Sequence, residues 1–156
     1  MTGFKIEILV NSPLETVYNA FVNPDNMTLW SRNLEKFEIV DGNSGEPGAL
    51  ARLHYNEKGK KTVMEDRLLE TEPQKRILSE VSGEGFTAIV ETEFESVGDQ
   101  TLIMMNWRGT STKFLVRIVL MIIKGRIRKS AMGELALFRD LVEKYGINFI
   151  KGTDQD

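Results

Sequence analysis

The sequence predicts one α+β domain in which a curved antiparallel sheet and a long C-terminal helix enclose an apolar pocket. Three observations predict it. Residues 4–10 alternate apolar with charged, the pattern of a half-buried strand. From Leu34 to Thr110 the chain is a succession of extended-type segments separated by short turn signals. From Ser130 to Tyr145 the apolar residues recur three or four apart, as one stripe of a helix. At 156 residues the chain has the length of one domain, and residues 1–150 are expected to form it, with 151–156 a frayed polar tail.

The first strand places Phe4, Ile6, Ile8 and Val10 on one face and Lys5 and Glu7 on the other. Ser12-Pro13-Leu14-Glu15 then has the form of a capping box, with serine at the N-cap, proline at the first helical position and glutamate three residues past the cap. That helix carries Val17, Tyr18 and Phe21 and stops at Asn23-Pro24, where Asn23 can cap a second short helix reaching Trp30. Turn signals follow at Asp41–Gly45, Lys58-Gly59, Pro73, Ser82–Gly85 and Gly98-Asp99. Connections this short join strands antiparallel, so a meander of about six strands is expected in addition to the first. In the last helix Met132, Leu135, Phe138, Val142 and Tyr145 form the stripe. Gly146 is its expected C-terminal stop, with Ile147 making the accompanying apolar contact. The helical pattern can extend back through Arg126 into the run before it, with Gly125 as a break or kink.

Composition excludes several functions. There is no cysteine, so there are no disulfides or thiolate metal sites, and a reducing cytoplasm is the expected compartment. One histidine leaves no ligand cluster beyond carboxylates, and neither a metal nor a cofactor is expected. A formal charge of −3 and a pI near 5.4 do not suit a nucleic-acid binder. The N-terminus MTGFKIEILVNSP lacks the pattern of a signal peptide. The longest apolar run, Phe114 to Ile123, would span roughly 15 Å as a helix, about half a bilayer's hydrocarbon core. It is expected to be buried or to face a ligand. His54 points away from the apolar side of its strand, and no GxSxG elbow exists, which argues against a serine-type triad.

The order of these elements resembles the START/SRPBCC superfamily, the helix-grip fold, and most of all its polyketide-cyclase/dehydrase-like and lipid-transport-like members. The matching residues are Lys5-Ile6-Glu7-Ile8 before Ser12-Pro13-Leu14-Glu15-Thr16-Val17-Tyr18, then Asn23-Pro24-Asp25 leading to Trp30. Gly48 before a strand, Glu72-Pro73 after one, and the apolar-then-amphipathic segment from Phe114 complete the match. The resemblance implies a deep cavity between sheet and long helix for hydrophobic or amphipathic small molecules. It also implies a wide range of activities, so activity must be read from the site.

Alternation nominates wall residues independently. Phe86, Ala88 and Val90 share one face, as do Met105 and Trp107, and likewise Leu53 and Tyr55. Met132, Leu135 and Phe138 would close the opposite side, with Trp30 and Met121 as further candidates. Each of these is also an ordinary core residue. The strand through 62–69 is more telling, because neither parity is clean: Met64 and Asp66 share one face, Glu65 and Arg67 the other. A regular strand here turns an ionisable group inward, where an unpaired charge is costly. Asp66, Glu65 or Arg67 is therefore expected at the cavity, unless a bulge releases it.

Three functions follow. The first is binding or transfer of a lipid-like, aromatic or polyketide-like molecule. The second is an aromatase/cyclase- or dehydratase-type enzyme using a pocket carboxylate. The third is an interaction module resembling the superfamily's co-chaperone activators, with a small or filled cavity. The basic stretch Lys124–Lys129 reads as a solvated helix face, with weak peripheral contact to anionic membranes as the sharper alternative.

Overall fold

A computed structural model describes residues 2–83 and 85–149; the expected tail at 151–156 lies outside them. Strand β1 (Thr2–Val10) leads to helix α1 (Leu14–Val22), a 3-10 turn (Pro24–Asn26) and helix α2 (Met27–Trp30). The meander follows as β2 (Leu34–Asp41), β3 (Leu50–Glu57), β4 (Lys60–Glu72), β5 (Arg76–Gly83), β6 (Phe86–Val97) and β7 (Gln100–Thr110). Helix α3 (Phe114–Tyr145) is the last element, four residues before the end of the described chain at Phe149. All seven strands form one antiparallel sheet in the order β1-β7-β6-β5-β4-β3-β2. The N-terminal strand therefore pairs with the last one, and β1 and β2 are the edges.

The alternation of β1 is realised residue by residue: Phe4, Ile6, Ile8 and Val10 are buried, while Lys5, Glu7 and Leu9 are exposed. The buried row meets Val17 and Tyr18 of α1, Ile103 of β7, and Leu135, Phe138 and Val142 of α3 in the main core. Phe138 is its hub. Its ring lies 5.5 Å from Phe21, 5.2 Å from Trp30 and 5.8 Å from Phe149, in edge-on or tilted contacts that suit aromatic quadrupoles. A second, smaller cluster of Leu34, Ala51 and Leu53 holds the far side of the sheet, with Met27, Phe37 and Ile39 against it.

Four local expectations are corrected. Helix α1 takes Pro13, not Ser12, as its N-cap, with no side-chain cap bond. Pro13 is extended at ψ 151° and its own carbonyl accepts the first helical bond from Val17, while the Ser12 carbonyl is taken by Thr101 Oγ1. Helix α3 is continuous through Gly125 for 32 residues, because hydrogen bonds on both sides carry the turn across one glycine. It does stop at Gly146, whose φ of +77° is costly for any residue with a Cβ. The apolar contact beyond that stop comes from Phe149, fully buried, and not from Ile147, which is 42% exposed. Finally, the run Phe114–Ile123 is mostly exposed, with only Leu120 buried. A helix that is apolar on every side can bury only the side facing the protein.

One polar side chain ties the ends together. Asn26 is fully buried; its Nδ2 donates to the carbonyls of Ala20 (3.0 Å) and Ile147 (2.8 Å), and its Oδ1 accepts from the Phe149 amide (3.1 Å). Every hydrogen-bonding need of that amide but one Oδ1 lone pair is met inside the protein.

Candidate functional site

The sheet's β2–β5 half, the two short helices and the β2–β3 loop surround a cavity of about 220 Å³. Its walls are apolar: Tyr18, Phe21 and Val22 from α1, Met27 from α2, Phe37 and Ile39 from β2, Leu68 from β4 and Ile77 from β5. Pro24 lies between the short helices, and Ser44 and Gly45 of the loop form the remaining rim. The space exists because small residues stand where larger ones would fill it. Ala49 and Ala51 line the floor from the start of β3, and Ser79 does so from β5. The loop is held against the sheet by Gly48 N to Leu68 O (2.7 Å) and Leu68 N to Ala49 O (3.0 Å).

Asp66 is the one carboxyl in this lining. It sits directly opposite Ala51 across the β3–β4 ladder, so no bulky neighbour covers it on that side. Burial pushes its carboxyl up to about 6, opposed by the Ser79 hydroxyl that hydrogen-bonds to it. A β-bulge at Leu69 then shifts the parity of β4: Leu68 pairs with Ser79, but Glu70 pairs with Leu78 and Thr71 with Ile77. The bulge turns Glu70 outward, where it pairs with Arg76 at 2.7 Å, and brings Thr71 into the cavity. There the Thr71 and Tyr18 hydroxyls meet at 3.2 Å. The result is an apolar chamber with a carboxyl–hydroxyl group on one wall and a hydroxyl pair on another. Such an arrangement can orient a small apolar molecule by its polar end, and the carboxyl can exchange a proton near neutral pH.

A second, half-buried carboxylate has a structural part. Glu134 of α3 accepts from the Arg32 amide at 2.6 Å and from the Ser31 hydroxyl at 3.3 Å, fastening the α2–β2 turn to the long helix. Burial raises its proton affinity, and raises that of nearby Tyr55 to about 12.

Of the residues nominated from sequence, Asp66 lines this cavity. Leu135 and Phe138 are fully buried in the main core, with Trp30, and with Met105, Trp107 and Met132 packed against it. Ala88 is buried, and Val90 sits opposite Trp107 across β6–β7. Leu53 belongs to the small core, and its ladder partner Met64 lines a separate depression with Tyr55. Phe86 borders another shallow depression near the β5–β6 turn, and Met121 is 67% exposed on α3. The long helix supplies none of the cavity's walls. Glu65 faces outward with Arg52 at 3.8 Å, Arg67 is exposed, and His54 pairs with Glu38 at 2.8 Å on the outer face. Among the described residues no three His, Asp or Glu side chains gather to hold a metal ion.

Sequence reasoning missed the short-helix residues and the loop. The parity of Asp66 could have yielded Leu68 and, across the ladder, Ala51; nothing local announces Ser44 or Ile77.

Fold and cavity together define an α+β protein with the helix-grip, SRPBCC-like fold. The chain belongs to the family described as Activator of Hsp90 ATPase homolog 1-like protein, whose model matches residues 11–116. That model spans α1 to the first residues of α3, and it is not that of the cyclase/dehydrase branch to which the sequence showed its nearest resemblance. No curated protein matches the chain. Among solved structures, a protein from Chromobacterium violaceum is 18% identical with a TM-score of 0.74, covering 92% of this chain and 99% of that one. A START superfamily protein from Mycobacterium smegmatis is 14% identical (TM-score 0.69, 85% and 93%). The Zhui aromatase/cyclase from Streptomyces sp. R1128 is 13% identical (TM-score 0.70, 92% and 94%). At these identities the likeness is one of fold.

Proposed function

We propose that this protein binds a small, mainly apolar molecule carrying one hydrogen-bond donor, a hydroxyl or an ammonium, aimed at Asp66. The observation that carries this is the apolar cavity with its single buried carboxyl. A volume of about 220 Å³ suits one or two fused rings or a short acyl chain. It is well short of a membrane lipid or a four-ring polyketide, since drug-sized ligands occupy roughly 300–1,000 Å³. Affinity comes from apolar burial, about 25 cal/mol per Å² before ordering costs, and the carboxyl selects for the donor. Fluorescence titration with 2-naphthol and its hydroxyl-free parent, naphthalene, tests the reading. The wild type should prefer 2-naphthol, D66N should lose most of that preference, and A51L should lose both ligands by filling the floor. Equal binding by A51L would refute it.

A second reading is supported by the same carboxyl. A group poised near 6 in a water-poor chamber is suited to general acid–base work of the aromatase/cyclase or dehydratase kind. A third, activation of a partner ATPase, is supported by the family's description. It requires an exposed working surface and no cavity, which is why the open chamber favours the ligand-binding reading.

A further inference from the structure

We infer that the first half of α3 is a docking surface for an anionic lipid bilayer. This rests on a face the cavity does not use. Phe114, Leu115, Ile118, Val119, Met121 and Ile122 are 65, 76, 38, 49, 67 and 75% exposed. At 100° per residue these six fall within one arc of the helix, while Leu120 turns the opposite way onto the protein. Isolated exposed apolar side chains are ordinary. Six contiguous ones on three turns of one helix are not.

The charge around the patch selects the occupant. Residues 113–129 hold six of the chain's 20 Lys and Arg and none of its 23 Asp and Glu. Arg117 flanks the patch with its guanidinium 5.7 Å from the Phe114 ring centre. Lys124, Arg126, Arg128 and Lys129 continue the helix surface directly beyond Ile122, and all are exposed. Six cations with no acidic residue in their own stretch, on a chain that is negative overall, point to an anionic plane. A second copy docking symmetrically would set the same cations against each other. No helix among the described residues is long and apolar enough to cross a membrane. The helix instead lies in the interface, its apolar turns among the upper acyl chains and its basic turns at the phosphates.

Flotation with phosphatidylcholine vesicles, with and without phosphatidylglycerol, tests this. The wild type should bind the anionic vesicles at least tenfold more strongly, and added salt should weaken that binding. L115S with I122S, at positions too exposed to disturb folding, should reduce binding tenfold or more; R126E with K129E should abolish the preference for anionic lipid. Unchanged circular dichroism and melting in both variants would assign the loss to the surface. Absence of binding, equal salt-insensitive binding to both vesicles, or full binding by either variant would overturn the inference. So would a dimer in sedimentation equilibrium that L115S with I122S dissociates, because a second copy would then cover the face. Because neither variant touches the cavity, 2-naphthol binding reports separately on the function proposed above.

Discussion

Replacing Asp66 by asparagine separates the cost of the buried carboxyl from its use. In the folded chain the group takes up its proton at about 6, against an ordinary value of 3.8. Between those two pH values the folded protein holds a proton that the unfolded chain has released. Stability from this group is therefore fully present below about pH 4 and is lost as pH rises through 6. A displacement of about two units at about 1.4 kcal/mol each amounts to about 3 kcal/mol at most. Asparagine keeps a hydrogen-bonding partner for Ser79 and has no charge to desolvate. In paired urea titrations the stability of D66N relative to wild type should rise by about 2–3 kcal/mol between about pH 4 and 7.5. The other carboxylates titrate in both proteins and cancel from the difference. A difference that stays flat across this range would refute the claim that Asp66 is buried and ionises against its surroundings.

The other predictions concern the frame. N26A strands two carbonyls and an amide that are now bonded to Asn26, and should cost about 3 kcal/mol or more in chemical denaturation; a loss under about 1 kcal/mol would contradict the hydrogen bonding described. G109A places a Cβ 2.4 Å from the Trp107 ring, which must swing off its stack with Phe4, 5.3 Å away. A loss of about 1–3 kcal/mol with a changed near-ultraviolet dichroism spectrum is expected. Glu134 titrates above the ordinary carboxylate range, so E134Q should gain stability relative to wild type as pH rises from acid to neutral, measured by melting at each pH.

The elements were legible where a single period governs many residues. Phe4 to Val10 announced a strand, Ser130 to Tyr145 a helix, and the turn dipeptides the meander, because each is decided by neighbours in sequence. The inward carboxylate was legible too, from the mixed faces of β4. What sequence could not supply was the position of the cavity. It depends on Ala49, Ala51 and Ser79 being small at points that the start of β3 and the middle of β5 bring together, and on a bulge that exchanges Glu70 for Thr71. Apolar wall candidates such as Leu135 and Phe138 were read from their stripe correctly as inward, but inward on α3 leads to the aromatic core. Phe114 to Ile123 misled for the opposite reason: its composition implies burial, and no other element among the described residues covers its outer face.

The amide of Asn26 sets a temporal condition on this chain. Two of its three partners lie 121 and 123 residues downstream, at Ile147 and Phe149. During synthesis the short helices that roof the cavity can collapse early, yet their buried amide lacks two of its three partners until the residues just past α3 have left the ribosome. Pairing of β1 with β7 imposes a similar wait on the first strand. A nascent chain therefore holds the chamber only half-assembled until Ile147 and Phe149 have emerged and can reach Asn26.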